Sequence, residues 1–217
     1  QEDWHKRARV YRDIPSLIHC EANVLVSDVH NYVHEFMLWL KEDHPAYGFS
    51  EDDIYRYITG KYIKLRPEIA DEIDEFYNAN MKTGPILAVH IRSGGKILEV
   101  GHLNDLNQQY FNEINRYLKE NSSARIFMLT DDEHILAQYE EIYGDILIYT
   151  DCNRKRINGL DPDVQVYSDR VRKGIEIIKD TWLASRCDHF IGNGHSNVSI
   201  AISRLKAWGK DSIKLFV

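Results

Sequence analysis

The chain has 217 residues, 43% of them hydrophobic, and a formal charge of −7 from 27 basic and 34 acidic side chains. That is enough apolar content for one good core or two modest ones, and the acidic balance argues against a general nucleic-acid binder. Three cysteines, Cys20, Cys152 and Cys187, are too few for a disulfide framework, and no run of about 18 apolar residues suggests a membrane span.

Residues 1–83 read as mainly helical. Val29, Val33, Phe36 and Leu40 form one stripe at helical spacing, and Ile69, Ile73 and Phe76 form another behind Pro67 at a helix start. From Gly84 the pattern changes to alternation. An apolar strand, Ile86–Ile91, ends abruptly in Arg92-Ser93-Gly94-Gly95-Lys96. A guanidinium and an ammonium four residues apart, beside backbone amides that glycine leaves accessible, suit a phosphate-bearing ligand as well as a plain tight turn. A helix with Tyr110, Phe111, Ile114, Tyr117 and Leu118 on one face follows. Then come strand Ile126–Leu129, helix Glu133–Tyr143 and strand Ile146–Tyr149. Asp131 and Asp132 stand at the second strand's end, either to receive a ligand or to cap the helix.

The loop from Asp151 to Gln165 holds Arg154-Lys155-Arg156 and Asp161-Pro162-Asp163. The basic triplet reads as a solvated loop or as a source of phosphate contacts, and the proline between the aspartates reads as a turn rather than a metal motif. Helix Ser168–Ala184 buries Val171, Ile175, Ile178 and Trp182. Strand His189–Ile191 leads through Gly192-Asn193-Gly194 to Ser196 or Asn197, which caps a last helix, and Ile213–Val217 forms a final strand. Free amides at that last helix start, with the Ser196 and Asn197 side chains, favour anionic oxygens. The whole is an α/β fold, a Rossmann-like parallel sheet with helices on both faces, preceded by a mainly helical segment. Two ligand-type loops in one such sheet point to a cleft. An oxidoreductase on the same sheet would need Gly-x-Gly-x-x-Gly after the first strand, and the chain lacks it.

Taken in order, the loops resemble the fucosyltransferase superfamily of GT-B glycosyltransferases, which includes the α1,6, α1,2, bacterial nodulation and protein O-fucosyltransferases. His90-Ile91-Arg92 is similar to its first motif, Arg125-Ile126-Phe127-Met128-Leu129-Thr130-Asp131-Asp132 to its second, and Cys187 to Ser199 to its third. Lys64-Leu65-Arg66-Pro67-Glu68-Ile69 resembles the segment that enters a helix before the first motif strand. Two departures stand out. Gly95-Lys96 replaces the Asp-Lys of the α1,6 enzymes, and Asn193-Gly194-His195 is not the usual run before the serine.

The resemblance implies inverting transfer of a sugar, fucose above all, from a GDP-sugar to a glycan hydroxyl. Arg92 would hold the diphosphate as it leaves, and Glu99 would take the acceptor proton. His90, Lys96, Asp131, Asp132, Ser196 and Asn197 would line the donor site, without a metal. It also implies a domain division into 1–83, a remnant of or connector to the acceptor half, and 84–217, the nucleotide-binding half, since the chain is short for both GT-B halves. A non-catalytic module that binds a nucleotide sugar or a partner is the alternative. Sequons at Asn121 and Asn197, the second in the expected cleft, favour the bacterial cytoplasm over a Golgi or ER lumen, with peripheral membrane attachment open.

Overall fold

In a computed structural model, the structure describes residues 32–92, 103–154 and 169–217. The chain divides into two units, Gln1–Ile58 and Thr59–Val217. In the first, a short helix α1 covers Val33–Met37; helix α2, Glu51–Tyr62, follows Ser50 and runs past the division at Ile58. The Ser50 and Asp53 side chains each accept from the other's backbone N–H, at 3.2 and 3.3 Å, the reciprocal arrangement that satisfies orphan donors at a helix start.

The second unit is built on five parallel strands: β1 (Ile86–Ile91), β2 (Arg125–Thr130), β3 (Leu147–Ile148), β4 (His189–Asn193) and β5 (Ile213–Phe216). Their order across the sheet is β3-β2-β1-β4-β5. Helices α3 (Pro67–Asn80), α4 (Leu103–Glu120), α5 (Glu133–Tyr143), α6 (Arg170–Ser185) and α7 (Asn197–Leu205) complete it. Among the described residues no helix is long and apolar enough to cross a membrane.

Side chains alternate across each strand, so an unbroken apolar run feeds two cores. Leu87, Val89 and Ile91, with Ile126, Met128 and Ile191, pack under Tyr110 and Ile114 of α4 and Tyr139 of α5. Ile86 and Ala88, with Phe127, Leu129 and Phe190, pack against Ile73 of α3, Leu183 of α6 and Ile202 of α7. Every residue of β1 is buried. This is the α/β fold with both faces covered that the alternation predicts. Pro67 occupies the first turn of α3, where its missing N–H costs nothing. That helix belongs to the sheet's own unit, although the hydrophobic pattern changes only at Gly84.

One strand runs further than its residue types suggest. Gly192 and Asn193 are poor strand formers, yet they pair with Leu215 and Phe216 of β5 and extend β4 past Ile191. The functional consequence lies in the strand order. From β1 the chain steps outward to β2 and β3, then returns to lay β4 and β5 on the other side. The loops leaving β1 and β4 therefore diverge and leave a crevice at their carboxyl ends.

Phe127 has no solvent exposure and packs on the Phe76 ring of α3 at 6.2 Å between centroids. Phe127→Ala should cost about 3–5 kcal/mol. Equilibrium urea unfolding measures this, and a loss below about 1 kcal/mol would mean that the α3 face is not packed as described.

Candidate functional site

The crevice is an open cleft of about 350 Å³ at the carboxyl ends of β1, β2 and β4. Its central tie is the Ser199 hydroxyl, completely buried in the first turn of α7. Ser199 Oγ lies 2.7 Å from His90 Nδ1 on β1 and accepts from the Asn193 N–H of β4 at 3.0 Å. One hydroxyl thus pins α7 to both strands that flank the reversal. Gly192 makes room for it. A Cβ there would stand 2.5 Å from the Phe190 ring and 2.7 Å from Ser199 Oγ. On the other side, Tyr110 OH donates to the His90 carbonyl at 2.9 Å. Burial, and secondarily the Arg92 charge, pull His90 down to about 3 from its usual 6.5, so the ring is neutral at physiological pH.

Beyond β1, Arg92 reaches the end of β2 and forms an ion pair with Asp131. The two adjacent aspartates divide their work. Asp132 accepts from His134 N at 2.9 Å and caps α5, while its own N–H donates to Thr130 Oγ1 at 3.2 Å. Of the two roles open to it, capping is the one observed, and it does not line the cleft.

At the end of β4, the Asn193 side chain accepts from His195 N at 2.8 Å, and Gly194 N donates to the Phe216 carbonyl at 2.7 Å. This turn delivers Ser196 as the N-cap of α7. Its hydroxyl makes no capping bond, and the first helical bond is Ile200 N to Ser196 O at 3.0 Å. The amides before Ile200 have no acceptor within the helix ladder, and with the helix dipole they favour an anion at this end. Ser196 and Asn197 both line the cleft.

The remaining wall was not foreseen. Lys173, Glu176 and Asp180 of α6 face the cleft. Spaced by three and four residues, they form a polar stripe beside the apolar stripe that the sequence reading followed, and that stripe was the available signal. Asp180 is buried, and its two oxygens accept from Thr150 Oγ1 and, at 3.2 Å, from the Cys152 thiol. Burial raises the Asp180 carboxyl and pushes the Cys152 thiol up to about 12. Glu176 accepts from Asn153 N at 3.2 Å and pairs with Arg172 at 3.2 Å.

Thus His90, Arg92, Asp131, Ser196 and Asn197 share one cleft. Lys96 and Glu99 lie outside the described residues, as do Asp161 and Asp163. Among the described residues no group of three or more His, Cys, Asp or Glu is placed to hold a metal ion.

The profile of alpha-(1,6)-fucosyltransferase N- and catalytic domains matches residues 28–211. The chain belongs to this family. Solved structures similar to this family member include the NodZ alpha-1,6-fucosyltransferase soaked with GDP-fucose, at 21% identity and a TM-score of 0.45 over 65% of this chain and 43% of that one. Selenomethionine-labelled NodZ from Bradyrhizobium matches at 23% identity and a TM-score of 0.48, over 69% of this chain and 44% of that one. The chain therefore spans less than half the length of these structures. No curated protein sequence matches it significantly.

The neutral His90 has a pH signature. Between pH 6.5 and about 3 only the unfolded chain takes up this proton. The stability it contributes is present above pH 6.5 and is lost on acidification through that window, at about 1.4 kcal/mol per pH unit. Urea unfolding of wild type and His90→Gln between neutral pH and pH 4.5 should show a wild-type slope steeper by about one proton. Parallel slopes would place the ring in water.

Proposed function

We propose that this family member is the donor-binding part of an inverting fucosyltransferase, which moves fucose from GDP-fucose to a glycan hydroxyl. The observation that carries this reading is the cleft at the sheet's reversal, walled by Arg92 on one side and the start of α7 on the other. NodZ alpha-1,6-fucosyltransferase has been soaked with GDP-fucose and co-crystallized with GDP. Here the same donor is inferred for the chain from its family and from the chemistry of the cleft.

In a single displacement the acceptor oxygen bonds to the anomeric carbon as the bond to the β-phosphate oxygen breaks. Negative charge then grows on the departing diphosphate. Arg92, oriented by Asp131, offers a planar fork that matches phosphate oxygens, and the first-turn amides of α7 add fixed dipoles. The Ser196 hydroxyl and the Asn197 amide supply further donors. Lys96, which follows β1 in the sequence, is assigned here to the same phosphates. His90 is assigned to the floor, where its neutral ring keeps a second cation away from Arg92.

The acceptor proton leaves on the opposite face and needs a base. The described carboxylates of the cleft are already committed: Asp131 to Arg92, Glu176 to Asn153 and Arg172, Asp180 to Thr150 and Cys152. That leaves Glu99, which follows β1 in the sequence, as the proposed base, the role the family resemblance implies.

Calorimetry with GDP tests the site, run beside a transfer assay with GDP-fucose that separates binding from turnover. Arg92→Lys should weaken GDP binding by roughly tenfold or more, because a point charge loses the two-pronged contact. Unchanged affinity would remove Arg92 from the site. EDTA should alter neither binding nor turnover, and a loss that added Mg²⁺ restores would bring Asp161 and Asp163 back as metal ligands. Glu99→Gln should lower kcat by roughly 10²–10⁴-fold with GDP affinity intact; normal turnover would exclude it as the base.

A further inference from the structure

The basic triplet at 154–156 has one member among the described residues, and its environment matches neither a solvated loop nor a simple phosphate clamp. Arg154 is only 6% exposed. Its Nε donates to the Thr130 carbonyl at 3.1 Å, and its Nη1 donates to the carbonyls of Thr150 at 2.8 Å and Cys152 at 3.3 Å. The Tyr149 ring lies 5.6 Å from the guanidinium carbon. One rigid fork therefore ties the carboxyl end of β2 to the loop that follows β3. Burying a cation against main-chain carbonyls is costly unless the geometry it fixes matters elsewhere.

The fixed point is informative. Thr130 is the last residue of β2, and the next peptide carries Asp131, the partner of Arg92. Clamping the Thr130 carbonyl sets the plane of that peptide, and with it where the Asp131 carboxylate stands. Asp132 restrains the same turn from the other side by capping α5. A chain of contacts runs from Arg154 through Thr130 and Asp131 to Arg92, all lining one cleft.

We propose that Arg154 is a positioning residue for Arg92, acting through the Thr130 carbonyl and the Asp131 carboxylate; this rests on the reading of the cleft as a donor site. Lysine cannot replace it, because a single ammonium does not reproduce the separate Nε and Nη1 donors that one rigid fork directs to Thr130 and to Thr150 and Cys152.

The test compares wild type, Arg154→Lys, Asp131→Asn and the double variant for GDP affinity, with Arg186→Lys as a control. Arg186 rests over the Tyr77 ring and pairs with Asp74, and it does not line the cleft. Arg154→Lys should weaken GDP binding by roughly threefold to thirtyfold. The double variant should bind no worse than Asp131→Asn alone, since both changes release the same guanidinium. In the ligand-free protein the ¹⁵N resonance of Arg92 Nε should move in Arg154→Lys as it does in Asp131→Asn, and stay in place in Arg186→Lys. Losses that multiply in the double variant, or an Arg92 signal unmoved by Arg154→Lys, would overturn the proposal. Wild type that fails to bind GDP would overturn the donor-site reading instead, and the ligand-free Arg92 signal would still decide the role of Arg154. Arg154→Gln, which keeps an uncharged donor in the same wall, is read in the same way if Arg154→Lys does not fold.

Discussion

A single buried hydroxyl connects the parts of the cleft. Ser199 Oγ meets the His90 ring of β1 and the Asn193 amide of β4, the two strands on either side of the sheet's reversal. Strand order opens a crevice there in any sheet of this kind, but its walls need registration before they can hold a ligand. Ser199 supplies it by fixing the first turn of α7 against both strands. The amides at the head of that helix and the arginine just beyond β1 are thereby held across one gap. The ring that Ser199 meets is neutral, so the contact does not compete electrostatically with Arg92.

Charge in the rest of the cleft is arranged by pairing. Arg92 is matched by Asp131, Glu176 by Arg172, and Asp180 by hydroxyl and thiol donors. Paired groups have little freedom to collapse on one another, so the site is organised before a ligand arrives. For phosphate recognition this matters more than the number of cations, because a preorganised donor need not reorient as charge develops.

The fold was legible where one element's residues dictate its state. β1 reads as a buried strand because Ile86 to Ile91 is a short apolar run, and α5 runs from Glu133 to Tyr143 as expected because Asp132 caps it and Gly144, at φ 49°, ends it. The Gly192-Asn193-Gly194 turn marked the cleft because close backbone approach leaves a mark in composition. What escaped was tertiary. Nothing local to Asp131 names Arg92, 39 positions away, as its partner, and nothing in a basic triplet distinguishes a buried arginine from a solvated one. The polar stripe of α6 was overshadowed by the apolar stripe beside it. β4 outran its expected end because β5, not its own residues, holds Gly192 and Asn193 extended.

The absence of a side chain at position 192 also bears on how this site can evolve. Every other amino acid brings a Cβ, and that atom would meet the Phe190 ring and the Ser199 hydroxyl together. A lineage that replaced Gly192 first would have to tolerate a strained strand. One that prepared the way by shrinking Ser199 would release His90 before gaining anything. Each step is harmful without the other, so Gly192, Ser199 and His90 are expected to change as a set or not at all.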